Sequence, residues 1–158
     1  MRRKDREISG TDNLLNIIGK CKVCRLGICD SDVPYVVPLN FGYSYDNGIL
    51  TLYFHSAHEG KKIDIIKKNN KACFELDCDH ALIDGERACN YGFTFSSVIG
   101  FGTIEFINDT QEKIMALGYL MKHQTGKDIQ FDFDVNELEN VAVFKMTVSE
   151  YTGKQKTA

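Results

Sequence analysis

Three stretches of the chain bring together residue types that chemistry uses. In Leu52-Tyr-Phe-His-Ser-Ala-His-Glu-Gly-Lys-Lys62 an apolar, strand-forming run turns through small residues into a segment that opens on two lysines. A phosphate held there gains from helix N-terminal N–H groups, the Ser56 hydroxyl and the two ammonium groups together, so the stretch is an anion site in outline. The same residues also read as ordinary structure. Ser56 and Glu59 have the spacing of a capping box, and Lys61, Lys62, Lys67 and Lys68 suit a solvated helix face. Both readings stand on these residues alone. His55 ends the strand, where an imidazole either serves a bound small molecule or merely terminates the sheet. His58 has the weaker case, since it falls in the turn itself.

The second stretch is Pro34-Tyr-Val-Val-Pro-Leu-Asn-Phe-Gly-Tyr43. Pro38 has no N–H to give to a ladder, which sends the segment to a sheet edge, a bulge or a ligand-facing rim. A flat ring system can bind along such a rim, and a proline that blocks edge-to-edge aggregation explains the same pattern. The third stretch, Tyr91-Gly-Phe-Thr-Phe-Ser-Ser-Val-Ile-Gly-Phe-Gly102, sets hydroxyls beside glycines and aromatics, a composition that admits close ligand approach against an apolar wall. Serine hydrolysis is not indicated, because there is no Gly-x-Ser-x-Gly elbow and none of His55, His58, His80 and His123 has a triad pattern around it. Cys21-x-x-Cys24 has metal or redox spacing, but Cys29, Cys73 and Cys78 do not supply a matching second pair. No metal is expected, and the cysteines are read as reduced thiols.

The elements that must position these residues follow from periodicity. Residues 11–19 read as a short helix capped by Thr11 or Asp12 and stopped at Gly19. Lys22 to Cys29, Pro34 to Tyr43 and Ile49 to His55 read as strands, joined by turn chemistry at Asp30-Ser31-Asp32 and at Asp46-Asn47-Gly48. Residues 61–68 suit a second short helix, residues 71–79 a strand, and Tyr91 to Ile107 a long bent strand. Asn108 or Asp109 caps a further helix that ends before Gly126, and Val141 to Val148 closes the sequence as a strand. The fold class is α+β, mainly β, built on a small antiparallel barrel with a few flanking helices. With two prolines, no low-complexity linker and 158 residues, one domain over residues 1–158 is expected. A net charge of −3 gives no global case for nucleic acid or an anionic membrane, and the short Arg2-Arg3-Lys4-Asp5-Arg6 cluster is diluted by its aspartate. No apolar span or export signal is evident, so a soluble cytoplasmic protein is expected.

Taken in order, the three stretches resemble the FMN-binding split-barrel superfamily that includes pyridoxamine-phosphate oxidase, and within it the nitroimidazole-resistance proteins. The opening Arg2-Arg3-Lys4-Asp5-Arg6-Glu7-Ile8 and the closing Thr152-Gly153-Lys154 extend the resemblance over nearly the whole chain. The resemblance implies a six-stranded antiparallel split β-barrel that binds FMN between two protomers of a homodimer. Val36, Val37, Pro38, Leu39, Asn40 and Phe41 would lie along the flavin ring. The turn from His55, Ser56 and Ala57 through Gly60, Lys61 and Lys62 would hold ribityl and phosphate, and Ser96, Ser97 and Val98 would contribute from the subunit interface. His55 would serve catalysis, and the acceptor would be a small nitroaromatic such as a 5-nitroimidazole, reduced at its nitro group. A flavin-binding module without turnover, an oxidase-like enzyme with another substrate and a haem-binding relative are the alternatives. The chain departs from the oxidase proper, which has an arginine opening the first strand and an Arg-Lys pair in the turn. Here those positions read Tyr35-Val-Val-Pro and Lys61-Lys62, and no C-terminal arginine and histidine follow.

Overall fold

The structure is a computed structural model and describes residues 3–127 and 132–157. Arg2 and the final Ala158 lie outside the described residues. A short 3-10 turn leads into β1 (Glu7–Ile8) and α1 (Thr11–Lys20), followed by β2 (Val23–Asp30), β3 (Val33–Asn40), β4 (Gly42–Asp46) and β5 (Ile49–Ser56). Then come α2 (Lys61–Lys68), β6 (Lys71–Ile83), β7 (Gly92–Ile107), α3 (Thr110–Thr125), α4 (Val135–Glu139) and β8 (Ala142–Lys156). The strands form one antiparallel sheet in the order β3-β2-β6-β7-β8-β5-β4, with β1 added on β8.

The sheet has eight strands where six were expected. The segment Pro34 to Tyr43 is two strands, because the chain breaks at Phe41, whose ring turns fully into the core. Two residues of the basic opening motif add the other strand by pairing with Gly153 and Lys154. The last strand runs on to Lys156 instead of stopping at Val148. Its second half carries little apolar alternation, but its backbone is paired on one edge with β7 and on the other with β1. Local predictions also shift. α1 is entered through Gly10 at φ 88°, not capped by Thr11 or Asp12, and it continues through Gly19 to Lys20. α2 has no capping box: Gly60 is its N-cap residue at φ 125°, no side chain caps it, and the Ser56 hydroxyl donates to the Ala57 carbonyl at 2.8 Å.

Other signals are met where they were read. Asn47 and Gly48 take φ 52° and 83° in the β4–β5 hairpin, the positive-φ pair that its tight turn requires. Asp109 accepts the Glu112 N–H at 2.9 Å at the start of α3, and Gly126 ends that helix in the left-handed conformation. Two bulges bend the long strands. Ser149 is the extra residue of β8 opposite Phe101 and Gly102, and its hydroxyl donates to the Phe101 carbonyl at 3.0 Å. The other bulge leaves one extra residue on β6 between Cys78 and Ala81, with Asp79 at φ 59°.

One face of the curled sheet encloses the main core, with Leu26, Phe41, Leu52, Phe54, Phe74, Leu76, Val98, Ile104, Phe144 and Met146 essentially sealed. α2 closes an end of it with Ile63, Ile65 and Ile66. A second cluster lies on the outer face, where Tyr53, Ile107 and Val143 are covered by Ala116 and Leu117 of α3 and Leu138 of α4. β5 is therefore apolar on both faces at its end, which is why residues 52–54 read as an apolar run without alternation. Among the described residues, no helix is long and apolar enough to cross a membrane.

Candidate functional site

β3 is the end strand of the sheet path, so one of its edges carries no partner strand. Its odd residues Tyr35, Val37 and Leu39 pack inward on the core, while Pro34, Val36, Pro38 and Asn40 are exposed on the outer face. Pro34 and Pro38 have no N–H, and the two-residue period of a strand points the Val36 amide the same way as theirs. Between Pro34 and Pro38 the edge free of β2 thus offers one donor, the Val36 N–H, among the carbonyls of Pro34, Val36 and Pro38. That alternation of donor and acceptors suits the edge of a heteroaromatic ring.

α2 comes to the same strand. The Lys61 ammonium lies over the Tyr35 ring at 5.1 Å from its centroid, tying the helix N-terminus to β3. Gly60 accepts from the Ile63 and Asp64 N–H groups, at 2.9 and 3.2 Å, which leaves the earlier amides of the first turn without an intrahelical partner. No side chain caps them among the described residues. A Cβ built on Gly60 meets nothing within 4 Å, so the space above the turn is open. Neither Lys61 nor Lys62 pairs with a carboxylate among the described residues. An uncapped helix N-terminus beside two unneutralised lysines fits a phosphate, and its place next to a free strand edge fits a phosphorylated ring cofactor.

His55 pairs in register with Val143 and shares the outer face of Tyr53, so it stands exposed at the margin of the layer that α3 and α4 cover. Its ring has no hydrogen-bond partner among the described residues. His58 is engaged instead, with Nε2 donating to the Glu139 carbonyl at 2.8 Å.

The remaining predicted residues separate. Phe41 is a core residue. The Asn40 amide donates to the Lys22 carbonyl and to Gln124 Oε1, holding β3 to β2 and α3. Ser96 and Val98 are fully buried inside their own chain. The Ser96 hydroxyl donates to Asp79 Oδ2 at 2.9 Å and, with Thr94 on the Asp79 carbonyl, braces the β6 bulge. Only Ser97 of that triplet faces outward, and its hydroxyl reaches the Lys154 carbonyl at 3.4 Å. Cys21 and Cys24 both point into the core, and burial pushes the Cys21 thiol up to about 12.

Sequence reading missed Tyr35 and the outer face itself. The pairings Val36–Gly27, Gly27–Cys73 and Cys73–Phe101 run in one row across β3, β2, β6 and β7. This row floors an apolar cleft of about 360 Å³ whose rim includes Asn69 and Lys71. Phe101 stands half exposed on it and Val36 is 62% exposed. Beside the row, Arg25 bridges Glu75 at 2.9 Å and Asp77, and Glu75 is raised above the usual carboxylate range by burial and by its neighbour Asp77. The alternation of aromatics with small residues in Phe93 to Phe101 is the signal that could have revealed this face, but it needs the β2–β6–β7 register to become a surface.

The chain belongs to the pyridoxamine 5'-phosphate oxidase family, whose sequence profile matches residues 11–155. Among solved structures it is similar to a protein of Bacteroides thetaiotaomicron provisionally assigned as a 5-nitroimidazole antibiotic resistance protein, at 37% identity and a TM-score of 0.81, covering 94% of this chain and 86% of that one. It also shares its fold with the flavocytochrome Anf3 of Azotobacter vinelandii, at 20% identity and a TM-score of 0.80, over 100% of this chain and 72% of that one. A FAD and haem binding protein of Mycobacterium smegmatis has the same fold at 15% identity and a TM-score of 0.82, over 97% and 74% of the two chains. No curated protein matches the chain significantly.

Proposed function

We propose that this chain is a flavoprotein that binds FMN between the free edge of β3 and the N-terminus of α2, and that it reduces small nitroaromatic compounds such as 5-nitroimidazoles. The observation that carries the cofactor is the uncapped start of α2 beside Lys61 and Lys62, set against β3 by the Lys61–Tyr35 contact. The acceptor class rests on the 37% identity to the Bacteroides protein. A bound flavin supplies electron transfer to the acceptor. The chain's own residues do the rest. Lys61, Lys62 and the first amides of α2 neutralise and orient a phosphate. The Val36 N–H and the neighbouring carbonyls hold the edge of a ring, and the apolar row from Val36 to Phe101 keeps water from it. His55, exposed and without a hydrogen-bond partner among the described residues, delivers a proton from a ring N–H to an acceptor that gains electrons.

The same reading includes a homodimer formed through the outer face of β6 and β7, with the whole chain as one domain in the cytoplasm. A face bearing Phe93, Ile99, Phe101 and Leu82, each about half exposed, is the kind of surface a second copy covers. The purified protein tests the reading. It should carry or take up a flavin that chromatography identifies as FMN, and once reduced anaerobically it should be reoxidised rapidly by a 5-nitroimidazole. A reduced flavin that persists beside the nitro compound removes the reductase activity and leaves a binding module. A Soret band without flavin absorption removes the cofactor.

A further inference from the structure

A second cleft of about 350 Å³, apart from the apolar row, is enclosed by α2, the end of β7, the start of α3 and the start of β8. Its apolar lining comes from Ile63, Phe106, Ile107 and Val143, and its polar lining from His58, Lys67, Asn108 and Lys113. Among the described residues that line it, none bears a carboxylate. The carboxylates that flank it in sequence are engaged elsewhere: Asp109 caps α3, and Glu112 is bound by Lys145 at 2.6 Å. The Lys113 ammonium is half-buried and donates to the carbonyls of Leu138 and Val141 at 3.1 and 3.5 Å. Those two bonds fix its position and leave its third N–H without a partner among the described residues. Lys67 has no hydrogen bond, ion pair or ring contact among them. Two cations without a carboxylate partner among the described residues thus face one cleft in a chain of net charge −3.

We propose that this cleft is a binding site for a small amphipathic anion, a carboxylate on an aromatic body, with the carboxylate on Lys67 and Lys113 and the ring against Phe106. The volume lies at the small end of ligand pockets, which commonly run from about 300 to 1,000 Å³, and accommodates a single-ring acid. The cleft uses none of the residues assigned to the flavin, and the two readings stand or fall separately.

The test is a titration of the full-length protein with benzoate, followed by backbone amide shifts in two-dimensional NMR, with benzamide as the uncharged analogue. Benzoate should bind saturably and shift the amides of Lys67, Asn108, Ala142 and Val143. Benzamide, and benzoate on Lys67→Gln, should bind about tenfold more weakly or worse, the loss that goes with one charge-assisted hydrogen bond. Lys68→Gln, on the same helix outside the cleft, should leave benzoate affinity unchanged. Lys67 is exposed, so its replacement does not threaten the fold. Equal binding of benzoate and benzamide, no effect of Lys67→Gln, or shifts confined to other amides would overturn the site.

Discussion

Two side chains decide different properties of this molecule because their surroundings differ. His55 is exposed and has no hydrogen-bond partner among the described residues, so its imidazole is open to chemistry. Removing it with His55→Ala should slow reoxidation of the reduced flavin by a nitroimidazole about a hundredfold, the scale of a lost proton donor, while FMN binding changes far less. Anaerobic single-turnover mixing checks this, and equal rates in the two proteins would take His55 out of catalysis. His123 is the reverse case. Its ring packs 4.6 Å from Phe41, its Nε2 donates to the Cys21 carbonyl at 2.7 Å, and burial holds it below the ordinary imidazole value of 6.5. With the folded value lowered, the unfolded chain takes up its proton first as pH falls. The stability that neutral His123 contributes is therefore complete above about pH 6.5 and is lost below it. Urea unfolding at about pH 7.5 and about pH 5.5 should show this slope, and His123→Gln should flatten it. At this scale His55, Lys61 and Lys62 were legible as residue types at meaningful spacing. Tyr35 was not, because a tyrosine in a strand says nothing until a lysine from another element is known to lie over it.

At the scale of elements, the long strands are shaped by places where no side chain fits. A Cβ on Gly42 would lie 2.3 Å from the Leu120 N of α3, so the absence of a side chain there lets the helix seat on β4. Gly42→Ala should cost about 1–3 kcal/mol through overpacking and shift α3 outward, measurable as a lower urea midpoint with an unchanged slope. An unchanged midpoint would mean that α3 rides loosely on the strand. Turns and helices that carry their own chemistry, such as Asn47-Gly48 and the Asp109 cap, were legible in the sequence. The edges of α2 were misread for a physical reason. Ser56 and Glu59 have the spacing of a capping box, but a glycine at φ 125° turns the chain before they can form it. The cap that the sequence promised is absent, and an anion site takes its place in the proposed function. The second half of β8 was hidden because backbone pairing on both edges needs no apolar pattern.

At the scale of the whole molecule, the sheet order brings β3, β2, β6 and β7 side by side and turns isolated exposed residues into one apolar face. If a second copy covers that face, Phe101→Asp should convert a dimer to a monomer by light scattering while the chain remains folded. A dimer that survives the substitution must use another surface. The family and the barrel were readable from three ordered stretches of sequence, whereas the inward turn of Ser96 and Val98 depended on a register that spacing does not reveal. In the proposed function the start of α2 and the free edge of β3 form a flavin site. Titration of the flavin-free protein with FMN, followed by quenching of flavin fluorescence, tests it most directly. Wild-type protein should saturate at about one FMN per chain, and Lys61→Gln/Lys62→Gln should lose about 3 kcal/mol or more, a weakening of about a hundredfold. Undiminished FMN affinity in that double variant, or no saturable binding by the wild type, would contradict the account.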